Sequence, residues 1–456
     1  MKTLLIIGNG ISGLSAALAA AEKGIHCTVV GAQPSERSQS VMAAGGINAV
    51  NAVNAEDSIA CHIQDTLKGG CFMEDERAIK GLCSSAPDII KYLSDAGVVF
   101  SLDEEGRPDR RAFGGQSFPR TAFSGTSTGK QIVTALVRKV RRYECEGLIT
   151  RRNGLTFGEA LIEDGICYGA LFYEGKYRHL EAIFADAVIV AAGGQNQLFG
   201  KTTGSTICDG YTAATLMSQG VTLRNLEFVQ YHPTTIETPT KRMLISEAAR
   251  GEGGRLYYLD GDKRVYFMEE KYGPKGNLMP RDIVSREVHS APSQVYLDVA
   301  FLGKEKILSR MREIYDLCHE YTGLDVTEES IPVSPSVHFF MGGIAVDLHH
   351  RTNIERLYAV GECASIYHGA NRLGGNSLLA AMYSGRVAAR DAAERLAEVH
   401  AVSFGSQIEE REKKLQEHLQ VKSLFPVVYL RNMLAEAMQE SMGIIRTEEG
   451  LKKGLD

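Results

Sequence analysis

The sequence predicts an α/β protein of two or three domains with a short helical segment at its C-terminal end. Three observations carry the prediction: 456 residues at roughly 150 per domain, a Gly-rich strand-turn-helix-strand opening, and helical patterning after residue 402. In the opening, an apolar strand at Thr3–Ile7 runs into the turn Gly8-Asn9-Gly10-Ile11-Ser12-Gly13. An Ala-rich helix follows at 14–23, and Gly24 precedes a second strand at 27–30.

Each glycine has a physical task. Gly8 permits the tight turn, Gly10 lets a pyrophosphate approach the backbone, and Gly13 lets helix and strand pack closely, with the helix N-terminus facing the anion. Gly8, Gly10, Ser12 and Gly13 are therefore candidate dinucleotide contacts in a Rossmann-like domain. The acid that usually takes the adenosine ribose after the second strand is missing: Gly31 and Ala32 stand there, and the nearest acid is Glu36. The turn by itself does not separate NAD from FAD.

Composition narrows the rest. Hydrophobic residues make up 44% and charged residues 23%, which suits a folded globular chain. The 50 Lys and Arg against 56 Asp and Glu give a formal net charge of -6, which argues against a nucleic-acid partner. The nine cysteines are scattered without a C-x-x-C pair, so they read as reduced thiols of a cytoplasmic protein; neither a metal site nor an iron–sulfur ligand set is expected. The mostly apolar stretch 4–21 has the outline of a signal peptide, but Gly8, Gly10 and Gly13 interrupt it at dinucleotide spacing. No later run reaches the ~18 consecutive apolar residues that a membrane span needs.

Later words decide the cofactor. SVMAAGGINAV (40–50), FGGQS (113–117), AAGG (191–194), QYHPT (230–234), SEAARGEGG (246–254), PRDIV (280–284), HFFMGGI (338–344), AVGE (359–362) and HGANRLGGNSL (368–378) occur in this order. Together they resemble the succinate dehydrogenase and fumarate reductase flavoprotein subunits over about residues 4–400. Gly45-Gly46, in a small-residue stretch, lets backbone lie against a flat ring system, which suits flavin better than nicotinamide.

The resemblance implies FAD, lined by a segment that includes Ser38, Gln39, Ser40, Ala44, Gly45 and Gly46, contacted by Asp209, with Glu362 on its ribose and Ser377 and Leu378 near the isoalloxazine. Quinone-linked members of the family usually carry a histidine in an R-S-H-T stretch to which FAD is bonded. Here the stretch reads Arg37-Ser38-Gln39-Ser40, so FAD is expected to be non-covalent and the chemistry to favour fumarate reduction.

A small dicarboxylate demands two separated clamps of bidentate or hydrogen-bonding groups. By resemblance Arg372 and His338 form one, while His232 and Ser246 form the other, Ser246 standing where the family usually has Thr. Hydride passes between flavin and dicarboxylate, Arg281 gives the proton, and Glu247 and Arg250 relay it; their i, i+3 spacing puts both on one side of a helix. Guanidinium is ordinarily too weak an acid, and a second Arg with a relay carboxylate eases transient proton release. His289, His349, His350 and His368 stay outside the site, His349-His350 reading as a solvated turn.

The motif order makes the FAD-binding domain discontinuous, at 1–222 and 337–403, with an α+β capping domain at 223–336 and a helical tail at 404–456. A hinge between them would close the site and exclude water. The polar stretch 263–275 reads as a surface excursion, and the Leu/Met stripe at 427–442 as a helix packed on the FAD domain. Family members usually continue beyond the point where this chain ends. The implied partners are an iron–sulfur or other electron-transfer subunit, or a soluble donor such as reduced flavin, NADH through another protein, or a dithiol. The implied location is cytoplasmic, with any membrane reached through partners.

Rival readings are L-aspartate oxidase, which lacks the FGGQS word and usually has Ala-Ser in place of Gly374-Gly375, a reductase of another unsaturated carboxylate, and a non-catalytic flavoprotein.

Overall fold

The computed structural model describes all residues except 1, 51–55, 126, 176–178, 397–402, 423 and 456. Its central sheet is five-stranded and parallel, in the order Leu357–Ala359, Ala187–Val190, Thr3–Ile7, His26–Gly31, Ile149–Asn153. The three strands Thr3–Ile7, Ala187–Val190 and Leu357–Ala359 are short and nearly all apolar, as strands covered on both faces must be. The first helix, Ile11–Ala21, begins three residues earlier than its alanines suggest, because Gly10 ends the turn and serves as N-cap. All of its residues are buried, and small side chains let it lie between the sheet and the long Asn376–Arg395 helix.

A second sheet is antiparallel and six-stranded: Arg242–Leu244, Val229–Glu237, Ile331–Phe340, Val295–Asp298, Arg255–Asp260, Lys263–Val265. With the helices Arg281–His289 and Arg312–Thr322 it forms its own apolar core, from Ile236 to Val333. The larger core runs from Leu4 to Leu396, and none of its fully buried residues falls between Val221 and Ile344. Leu223–Arg224 pairs with Gly343–Ala345 on the side of the larger core, and the strand Ile331–Phe340 continues past residue 336.

Two local expectations change. The stretch 263–275 is an edge strand followed by the helix Phe267–Tyr272, whose Met268 is fully buried, because its few apolar residues close one end of the second core. His350 is no solvated residue: it is buried in the positive-φ region, with Nδ1 2.8 Å from the Ala359 carbonyl and Nε2 2.5 Å from the Tyr367 hydroxyl. Only its neighbour His349 faces solvent.

The tail holds the helices Gly405–Gln420, Val427–Ser441 and Glu448–Lys453. Val427–Ser441 packs by one edge only. Ala435 is buried, Met438 adjoins Phe199 and Phe340, and Gln439 Nε2 donates to the Phe199 carbonyl at 2.7 Å, while Val427, Val428, Leu430, Met433 and Leu434 are 46–66% exposed. The helix thus packs on Phe199 and Phe340 of the FAD-binding ranges as expected, but much of its apolar stripe faces outward.

Candidate active site

One continuous cavity of about 1020 Å³ runs from the first Gly-rich turn to the second sheet. Gly8, Gly10 and Ser12 line its start. Gly8 has φ +114°, and a Cβ there would stand 2.1 Å from the Ala191 carbonyl oxygen, so no other residue fits the turn. Gly13 lies behind the wall, where it packs on Gly8. Gly10 offers the helix no side-chain cap, so the helix N-terminus presents backbone N–H groups to an anion.

The next stretch of wall is 38–46. Ser40 Oγ accepts from the Ile11 amide at 3.1 Å, Ser38 Oγ donates to the Ser35 carbonyl, and Gln39 Oε1 is buried without a partner. Ala44, Gly45 and Gly46 follow. The glycines have reasons inside the protein as well as toward a ring: Gly46 has φ +136° and lies against the Ala122 carbonyl, and Gly45 against the Phe113 ring. Asp209 lines the cavity and accepts from the Tyr211 amide, while Ser377 and Leu378 start the Asn376–Arg395 helix on the opposite wall. Glu362 accepts from the Phe340 amide at 3.1 Å, and burial pushes its carboxyl up to about 7 against the pull of that amide and of Arg372.

Three distant words meet beneath this wall in one buried network. Asn48 Nδ2 donates to the Gly374 carbonyl and to Asn376 Oδ1, and Gln116 Nε2 donates to Asn48 Oδ1 and to the Gly374 carbonyl.

At the far end the second sheet delivers the polar cluster. His232 lies on Val229–Glu237, where pairing with Ile331–Phe340 slips between Gln230 and Tyr231 and again between His232 and Thr235. Pro233 has no N–H for the ladder, so the strand bulges and turns His232 into the cavity. The His232 and His338 rings stand edge to face at 5.3 Å, His338 Nδ1 is 2.8 Å from Thr203 Oγ1, and Ser246 is buried in the same cavity wall.

Glu247 caps the single turn Ala248–Gly251. Its Oε2 accepts from Arg281 Nε at 2.9 Å and Nη2 at 2.7 Å, while its Oε1 accepts from the Gly114 amide and lies 3.5 Å from Arg250 Nη2. Arg281 opens its helix directly after Pro280. Arg250 lies behind Glu247, outside the cavity wall, and donates to the Asn277 carbonyl. Arg372 is buried above the Phe339 ring at 4.3 Å.

Gln230, which stands in the QYHPT word but outside the expected site, joins the two sides. Its Oε1 accepts from Arg281 Nη1 at 3.2 Å and Arg372 Nη2 at 3.0 Å, and its Nε2 donates to Asn371 Oδ1 and the Arg372 carbonyl. Thr203 and Gly114 are likewise absent from the sequence expectation. All three contacts are tertiary, and only the position of Gln230 two residues before His232 on one strand face could have hinted at it.

Electrostatics define what this end can receive. Burial and then Arg281 hold both His232 and His338 well below the ordinary histidine value, so both are neutral. Glu247, which burial alone would raise, is pulled down to about 2 by Arg281 and Arg250. Burial and the Arg281 charge push Arg372 well below its ordinary value. Arg250 and Arg281 thus share the one Glu247 carboxylate, Arg372 has only the more distant Glu247 and Glu362, and His232 Nε2 and Arg372 Nε are buried without partners. An anion would relieve both the repulsion and the unmet hydrogen bonds.

The FAD binding domain family matches residues 3–378. The succinate dehydrogenase flavoprotein subunit of Bacillus subtilis is 38% identical over 99% of this chain and 80% of its own length. The chain belongs to the succinate dehydrogenase and fumarate reductase flavoprotein family. Another relative comes from the fumarate reductase (CoM/CoB) of Methanothermobacter marburgensis, one of whose subunits is 34% identical over 99% of this chain and 83% of its own. FrdA of Escherichia coli quinol fumarate reductase superposes with a TM-score of 0.87 at 32% identity, covering 100% of this chain and 82% of its own.

The protein is thus an FAD-dependent oxidoreductase of this family. The cavity fits the cofactor: a Gly-rich turn and helix N-terminus for the pyrophosphate, a flat glycine wall for the ring, and the polar cluster where the ring system ends. No helix among the described residues is long and apolar enough to cross a membrane.

Proposed function

We propose that the protein interconverts fumarate and succinate, favours fumarate reduction, and holds FAD without a covalent bond. The observation that carries the substrate class is a surplus of positive charge at one end of a flavin cleft, where Arg250, Arg281 and Arg372 outnumber Glu247 and the nearby Glu362, beside neutral imidazoles and an unpartnered Arg372 Nε. A ligand with anionic carboxylates answers it. FAD supplies the two-electron redox chemistry. Arg372 and His338 hold one carboxylate, and His232 and Ser246 hold the other. Arg281 Nη1, the nitrogen not committed to Glu247, holds the transferable proton, and Glu247 with Arg250 restores it. Burial of this cluster excludes water from the proton path.

Non-covalent FAD follows from Gln39, whose amide is no nucleophile, in the place of the family's histidine. The relatives are named as subunits, which supports a separate electron-transfer partner, iron–sulfur by family resemblance, for a protein of the cytoplasm that meets membranes only through partners. The division into 1–222 and 337–403, with 223–336 as cap and 404–456 as tail, is supported by the two separate apolar cores. L-aspartate oxidation, the rival reading, is not favoured by these relatives.

The test is anaerobic mixing of dithionite-reduced protein with fumarate, followed at the flavin absorbance band, then acid precipitation. Rapid reoxidation with FAD in the supernatant is expected. Reduction of the oxidised protein by L-aspartate, with no response to fumarate, would overturn the assignment.

A further inference from the structure

The residues after His26–Gly31 leave the adenosine ribose without its usual carboxylate, yet the cavity contains another acid. The Gly154 amide donates to the Gly31 carbonyl at 2.9 Å, so the strand Leu155–Glu163 starts beside the position where a dinucleotide fold places the adenosine. From that strand Thr156, Phe157 and Glu159 line the cavity. Glu159 is 3% exposed, and pairing with Ile166–Glu174 shifts register between Phe157 and Glu159, which re-aims its side chain.

The opposing wall here is the tail helix Gly405–Gln420. It has no buried residue of its own, and two contacts tie it to this acid: Gln407 Nε2 donates to Glu159 Oε1 at 3.1 Å, and Arg411 pairs with Glu159 Oε2. Arg411 and Leu415 line the cavity together with Tyr173 and Leu180. A carboxylate accepts about four hydrogen bonds, so Glu159 retains capacity beyond these two donors. A guanidinium fixed at one edge still offers a planar face to a base.

We propose that Glu159 and Arg411 form the adenosine subsite for FAD: the carboxylate takes the ribose hydroxyls, and the guanidinium of the tail helix covers the adenine. Glu362 stands on another stretch of the wall, where its carboxylate accepts from the Phe340 amide and its neighbour Gly361 packs on Ser12. The inference rests on FAD binding alone, independent of the substrate and of how the flavin is held.

The test uses full-length protein produced flavin-free in riboflavin-starved cells. FAD and FMN binding are followed by flavin fluorescence, and ADP binding by calorimetry, in wild type, Glu159→Gln and Arg411→Met. ADP has no flavin to attach, so its result stands even if acid precipitation finds FAD bonded to the chain. Each variant is expected to weaken FAD and ADP about tenfold and leave FMN unchanged, a loss of the size of one base stack. Unchanged FAD and ADP affinity overturns the proposal. Equal weakening of FMN also overturns it, because that reports a general loss of the cleft.

Discussion

Arg281 is gripped on two sides, by the Glu247 carboxylate and the Gln230 amide oxygen, and little of its geometry is left to chance. Arg281→Ala is expected to lower kcat by about 10³-fold while FAD stays bound, as stopped-flow reoxidation and the flavin spectrum would report. Arg281→Lys separates proton delivery from simple charge stabilisation, since an ammonium also donates. Gln230→Met leaves both guanidiniums unaligned; kcat is expected to fall by about 10- to 100-fold with a rise in KM, and Gln230→Glu, which restores the oxygen but adds a charge, to recover only part of kcat. With His232 and His338 held well below the ordinary histidine value by burial and Arg281, both stay neutral at neutral pH. The kcat/KM profile should therefore show no inflection near 6.5 that His232→Asn or His338→Asn removes.

The seven polar candidates of the substrate end were legible because each sits in a short word with its own chemistry. Gln230, Thr203 and the Gly114 amide were not, since their roles exist only once strands distant in sequence are paired.

At the scale of elements, the clearest device lies under the site. Arg120 is fully buried, donates Nε and Nη2 to Asp57 at 3.1 and 2.8 Å and Nη1 to Asp65 at 2.6 Å, and Asp65 also accepts from the Ser117 amide and hydroxyl. This ties the helix Ile59–Gly69 to the loop that carries the FGGQS word. Arg120→Met would leave two buried carboxylates unpaired, an expected cost of about 3–5 kcal/mol in urea unfolding. The opening strands and helix were readable from glycine spacing and apolar runs. The bulge at Pro233, the buried His350 and the outward apolar edge of Val427–Ser441 were not, because tertiary partners decide them.

On the scale of the whole molecule, the site lies where the two apolar cores meet. Arg372 belongs to the loop before Asn376–Arg395, whereas His232 and Ser246 belong to the second sheet and the turn that follows it. On the proposed assignment, a dicarboxylate held by both clamps would join the two bodies. Fumarate or malonate at about 100 times its Kd should therefore add about 2.7 kcal/mol to the FAD-loaded protein, seen as a higher Tm and slower proteolysis within 223–336. Arg372→Met should abolish both effects without altering the Tm of the ligand-free protein by more than a few degrees.

The surplus of positive charge at the substrate end has a further cost. Any small dianion, reactive or not, answers the same electrostatic deficit, so attraction alone offers little discrimination. On the proposed assignment, selectivity would then reside in length: the gap between the Arg372–His338 and His232–Ser246 pairs would act as a ruler, set by how far the bulged strand carries His232. A dianion too short to span it would plug the cleft as an inhibitor, and a monoacid would leave one clamp idle. Lengthening or shortening that bulge, with every catalytic residue untouched, is the route by which this scaffold would change its substrate.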